Sequence, residues 1–489
     1  MSKVLCIGIE GFDPILAKEL INLLPNLKKI QENSIFGEIK STIPPVSPQT
    51  WISSLSGKNP GAFGFLDYKY RGDFSYKNRN IVNSLVVNNR VNCLYNILPK
   101  LGQKVSIVDV PGLYPPINIL GGYSITDCVD EKFGRDITAP VNFYKEINEL
   151  FKNYVIDLKK LDDYKKSLEL VHEKIKQRIV LSKYLIDKKN CDFVFVVLRG
   201  LDFIINMLNK KTYYDYSETD SNFKIDKLVK EYYIWIDKEI GDIAGMIDND
   251  ELSLLLFSPF SFKKFNGFFN INEWLIEKGY LVLNNYPNKL TPINMLDIDW
   301  AKTIAWVEHP GQLFINLEGR ENNGTVMREE YDEVIQELVK RINQIPNDFN
   351  INNQIIGARP REDIISGTYS TFLPDIFIDF SEAQVNINEI VGYGKGNMSN
   401  IFIKSMIYYG NGFPGYLSLY SLSLPSNMKL NEINLLNIAP TILDLLNLEI
   451  PLEMEEASLL SLNNIKNASN KKIKNEDNNI SSRLKALGY

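Results

Sequence analysis

Three runs in this chain are apolar at nearly every position: VLCIGI at 4–9, FVFVVL at 193–198 and LSLLLF at 252–257. A strand with one face in water alternates apolar and polar residues, so an unbroken run needs cover on both faces. Helix-length segments with a mixed polar and apolar rhythm lie between such runs, at about 15–31, 94–101, 161–187, 225–247 and 435–446. SIVDV (106–110), DIFIDF (375–380) and IFIKSM (401–406) read as further strands. Strands separated by helices predict an α/β fold, a mostly parallel sheet sandwiched by helices.

The 489 residues are enough for one large core. The reading is a single main domain over 1–462, with a cap or elaboration at about 263–350. A polar linker follows at 463–480, and 481–489 form a C-terminal docking segment. The net charge of −6, with 54 basic against 60 acidic residues and no basic stripe, argues against a nucleic-acid partner. No window approaches about 18 uninterrupted apolar residues, so no membrane span is expected. A strand begins almost at once, with no leader-like run before it, and the four cysteines are scattered without metal-ligand spacing. The expectation is a cytoplasmic protein with reduced thiols.

In a doubly covered parallel sheet, chemistry sits in the loops after the strand C-termini. Those loops hold Glu10, Ser47, then Arg199 and Asp202 with Asn206 four residues on, then Pro259-Phe260, and a late GNGFPG turn at 410–415. Ser47-Pro48 reads as a helix start, with Ser47 as N-cap and Pro48 at the first helical position. Such a corner favours an anion through the free N–H groups and the helix dipole. A serine there is also a candidate nucleophile if a base is near. The chain has only two histidines, which leaves little for zinc or for ordinary acid–base work. His172, amid Leu168, Val171 and Ile175, reads as a packing residue, and His309 as a surface one.

Several short motifs carry a family likeness. IGIEG (7–11) is similar to a metal loop of the form IGxDG, and LPNL stands at 24–27. TIPPVSPQTWISSLSGKNPG (42–61), VPGLYPP (110–116), NINEWLIEKGYL (270–281), FINLEGRE (314–321), NIAPTILDL (437–445) and RLKALGY (483–489) follow. In this order they resemble the type I phosphodiesterase/nucleotide pyrophosphatase branch of the alkaline phosphatase superfamily, over almost the whole chain. The resemblance implies an alkaline-phosphatase-like fold. It also implies a Thr or Ser nucleophile, at Ser47, and two zinc ions that hydrolyse phosphate esters.

The departures fall on the metal ligands. Glu10 replaces the first Asp, and Asn206 replaces the His of DxxxH after Asp202. Pro259-Phe260 replace the Asp-His of SDHGF, Phe63 replaces a His, and the late loop has none. Glu10 and Asp202 therefore read as vestigial metal ligands, and Ser47, Asn206 and Arg199 as ligand-binding residues. No cofactor is expected, although two carboxylates with a serine and an amide have the chemistry for a single Mg²⁺ or Ca²⁺. The reading leans against an enzyme. It is a protein that has lost two-zinc hydrolysis and acts as a binding, scaffolding or regulatory pseudoenzyme, whose partner is an active protein or an anionic small molecule. The alternative is a phosphoester hydrolase or transferase with a rebuilt, metal-poor site that uses Ser47 as nucleophile.

Overall fold

The fully apolar runs occupy the middle of a nine-stranded sheet. The computed structural model describes residues 2–77, 79–126, 136–156, 164–205, 221–247, 251–348, 357–380, 384–394 and 401–462. Across the sheet the strands run Met428–Asn434, Ser34–Lys40, Gly415–Tyr420, Leu252–Ser258, Lys3–Ile9, Phe193–Leu198, Val105–Val108, Tyr123–Ile125 and Thr138–Ala139. Lys3–Ile9 lies parallel to both central neighbours, with Val4 opposite Phe193 and Ser253. Gly415–Tyr420 and Thr138–Ala139 are the antiparallel members. The sheet is therefore mostly parallel, as the unbroken apolar runs require.

The period of two decides which layer each residue joins. Val4, Cys6, Phe193, Phe195 and Val197 face a cluster that includes Trp51, Leu55 and Ile442. Leu5, Ile7, Val194, Val196 and Leu198 face the opposite cluster with Ile175, Ile179, Tyr232 and Ile236. The second cluster is covered by two helices of 24 residues each, Tyr164–Asp187 and Ser221–Ala244. Each buried Val, Leu, Ile or Phe of these strands is worth about 1.5–3 kcal/mol, so the two-sided cover is what holds the central strands in place.

One expected helix is broken. The segment 15–31 forms Pro14–Glu19, a 3₁₀ turn at Ile21–Leu23 and Pro25–Glu32. Pro25 disfavours helical geometry at its predecessor, and Leu24 takes φ −119°, ψ 65°. Pro25 then opens the next helix, where its missing N–H costs nothing.

Two expected strands belong elsewhere. Ile376–Asp379 sits in a four-stranded antiparallel sheet with Ala305–His309, Gln312–Ile315 and Gly357–Pro360. Phe402–Gly412 pairs antiparallel with Ser261–Asn270, Ser261 opposite Gly412. These two long strands leave the central sheet after Ser258 and return to it at Gly415. Between them lies a third apolar cluster, from Phe269 to Ile401, with Trp274, Trp306, Leu338 and Ile376. It takes in the 263–350 segment and continues past it. The 463–480 linker and the 481–489 segment lie outside the described residues, as does Cys128. Cys6, Cys93 and Cys191 are buried free thiols. Among the described residues no helix is long and apolar enough to cross a membrane.

Candidate active site

The C-terminal ends of the parallel strands deliver Glu10, Ser47, Arg199, Asp202 and Phe260 to the wall of one cleft of about 350 Å³. The elaboration supplies the facing wall, with His309, Gln312, Asp379 and Phe380. The cleft thus lies between the central sheet and the third cluster.

Glu10 follows the strand Lys3–Ile9, and its side chain is 4% exposed. Gly11 follows it at φ +76°, where a Cβ would enter the ring of Phe262 at 1.8 Å. Only glycine fits that turn. Glu10 Oε1 accepts the hydroxyl proton of Ser47. Glu10 Oε2 accepts from Arg199 Nε at 2.9 Å. Arg199 Nη2 donates to Asp202 Oδ2 at 3.2 Å. One guanidinium therefore bonds to both carboxylates. Burial pushes the Glu10 carboxyl above the ordinary carboxylate range, against the Arg199 charge, which pulls it down.

Ser47 is not a helix cap. The helix is Gln49–Ser56, Pro48 occupies the cap position, and no side chain caps it. The Ser47 hydroxyl is engaged instead across the sheet edge by Glu10, and its oxygen accepts from Trp51 Nε1 at 3.0 Å. Gln49, buried in the same turn, donates to Pro44 O and accepts from Thr42 Oγ1 at 2.9 Å, which ties the Pro44-Pro45 loop to the helix start. Gly57 ends the helix in the left-handed region, as the turn chemistry implies.

Other sequence readings come out differently. His309 lines the cleft rather than the outer surface, because the hairpin Ala305–His309/Gln312–Ile315 turns its end toward the central sheet. Arg320 is buried on Asp375 and Glu321. His172, by contrast, is the packing residue its sequence context implies, with its ring flat on Trp235 and ring centroids 4.0 Å apart. Asn206 lies outside the described residues. Asp379 and Asp67 also line the cleft. Their sequence context carries no motif, so only the tertiary fold finds them.

A sequence profile described as Type I phosphodiesterase / nucleotide pyrophosphatase matches residues 4–399. The chain belongs to that family. Its match takes in the seven strands of the central sheet that precede Gly415–Tyr420 along the chain, and most of the elaboration. Human ectonucleotide pyrophosphatase/phosphodiesterase 5 superposes with a TM-score of 0.51 at 12% identity, covering 95% of this chain and 99% of that one. The murine protein of the same name, an inactive form in complex with AMP, gives a TM-score of 0.50 at 10% identity, covering 95% and 100%. At such identities these neighbours speak for the fold alone. No curated protein sequence matches the chain.

A pair of zinc ions, which the family likeness implies, calls for roughly six Asp and His ligands. Among the described residues no group of three or more His, Cys, Asp or Glu side chains has the geometry to hold a metal ion. The two carboxylates at the expected place are bonded to an arginine, and Phe260, 1% exposed, stands where the family pattern has histidine. Among the described residues, the donors at this place do not make up that set.

Proposed function

We propose that this family member does not work by two-zinc hydrolysis and acts as a binding or regulatory protein through its cleft. The observation that carries this reading is the bridge from Arg199 to Glu10 and Asp202. A guanidinium is a fixed cation that always carries its charge. It bonds one oxygen of each of the two carboxylates that would otherwise call for a metal, while Asp202 Oδ1 is buried without a hydrogen-bond partner among the described residues. The expected anionic ligand also meets an unfavourable wall, since Glu10, Asp67, Asp202 and Asp379 line the cleft with Arg199 and His309. A ligand without net negative charge suits this lining better. The test is turnover of an aryl phosphodiester with and without added zinc. The reading expects no zinc-dependent turnover, and turnover that rises with zinc and disappears in a chelator contradicts it.

A second reading has its own support. Ser47 donates its proton to Glu10, a buried carboxyl held by Arg199. That is the arrangement of an activated nucleophile, a base and an orienting group. It supports a hydrolase or transferase with a metal-poor site in which Ser47 attacks.

A further inference from the structure

A serine hydroxyl has one proton to donate and two lone pairs to offer. At Ser47 the proton goes to Glu10, and one lone pair takes the indole N–H of Trp51. The second lone pair remains for an electrophile, on a half-buried residue that lines the cleft. The geometry is held from behind. Trp51 is fully buried against Phe257, ring centroids 5.4 Å apart, and Arg199 fixes the far oxygen of Glu10. The lining then limits the electrophile. Four carboxylates face one guanidinium and one imidazole among the described lining residues, which disfavours a phosphate dianion. Phe262, half-buried at the cleft wall, offers aromatic surface to an apolar body.

We propose that the cleft catalyses metal-independent acyl transfer from neutral carboxylic esters, with Ser47 Oγ as nucleophile and Glu10 Oε1 as proton acceptor. This rests on the second reading above, in which Ser47 keeps a transfer chemistry. Ser47 Oγ bonds to the ester carbonyl carbon while its proton passes to Glu10. The tetrahedral adduct expels the alcohol oxygen, which takes the proton back from Glu10. Water then attacks the acyl-serine and gives its proton to Glu10. The carbon–Oγ bond breaks, Ser47 recovers the proton, and the carboxylic acid leaves. Arg199, bonded to Glu10 and Asp202 and 26% exposed, supplies positive charge beside the nucleophile.

The test incubates the full chain with p-nitrophenyl butyrate in EDTA, follows p-nitrophenol release and maps the modified peptide by mass spectrometry. The expected result is a butyryl group on the peptide that holds Ser47, with release abolished in Ser47→Ala and slowed by about 10²-fold or more in Glu10→Gln. No butyryl group on that peptide, or equal release by Ser47→Ala, overturns the proposal. If Ser47→Ala fails to fold, the labelled peptide of the unmodified protein still decides. An aryl phosphodiester is assayed in EDTA alongside. Its turnover without ester turnover overturns the ester proposal and leaves the metal-poor transfer reading standing. Turnover of neither substrate overturns both.

Discussion

The guanidinium of Arg199 reaches Glu10 Oε2 at 2.9 Å, across 189 residues of chain, and closes the gap between two strand-end loops. Breaking a buried ion pair leaves a charge without its partner and costs about 3–5 kcal/mol. Arg199 is about one-quarter exposed, and solvent screening reduces that figure. Arg199→Ala is expected to lower stability by about 1–2 kcal/mol in denaturant titration. Arg199→Lys is expected to recover only part of the loss, because an ammonium cannot reproduce the two-pronged contact. The alanine variant also exposes Glu10 and Asp202 to each other. Millimolar Mg²⁺ or Ca²⁺ is therefore expected to raise its melting temperature and to leave the unmodified protein's unchanged.

Gly8 supports the site from the strand below. A Cβ built there lies 2.4 Å from the Trp51 ring, whose indole nitrogen holds Ser47. Gly8→Ala is expected to cost about 1–3 kcal/mol through overpacking. Trp51→Phe, which keeps most of the ring volume but drops the N–H, is expected to cost less. Chemical denaturation of the two variants checks the order, and Gly8→Ala proving the milder change contradicts this packing.

The elaboration has an electrostatic centre of its own. Asp375, with a fully buried side chain, accepts from Arg320 Nη2 at 2.6 Å, Arg361 Nη1 at 3.1 Å, Tyr331 Oη at 2.6 Å and the Ile315 backbone N–H at 2.7 Å. Burial pushes its carboxyl up, but the charge and hydrogen bonds of Arg320, with Arg361 behind them, hold it below the ordinary aspartate range. A depressed folded value means that the stabilisation is present above the unfolded aspartate range, near pH 4, and is lost as pH falls through the folded value. Asp375→Asn is expected to cost about 3–5 kcal/mol at neutral pH, and to flatten the decline in stability below about pH 4. Denaturant titrations of both proteins at neutral and acidic pH measure it.

The central sheet was legible because a fully apolar run has few alternatives. Leu5, Ile7 and Val196 can be buried only if helices cover that face. The elaboration was less so. Its strands are half-covered and antiparallel, so DIFIDF at 375–380 looks like one more central strand until Gly357–Pro360 and Gln312–Ile315 are seen to flank it. At the site, residue types and loop positions were readable, but partnerships were not. The i,i+3 spacing of Arg199 and Asp202 was visible, whereas the contact of Arg199 with Glu10 depends on the adjacency of Lys3–Ile9 and Phe193–Leu198. Ser47-Pro48 carried a capping pattern, and the real helix start lies beyond it because Glu10 and Trp51 engage the hydroxyl.

On the proposed reading, Arg199 with Glu10 and Asp202 takes the place of metal chemistry. Elemental analysis of protein made without a metal-binding tag, and equilibrated with zinc before desalting, tests it most directly. Well below one zinc per chain is expected. About two zinc ions per chain, retained through desalting and lost in Asp202→Asn, would contradict it.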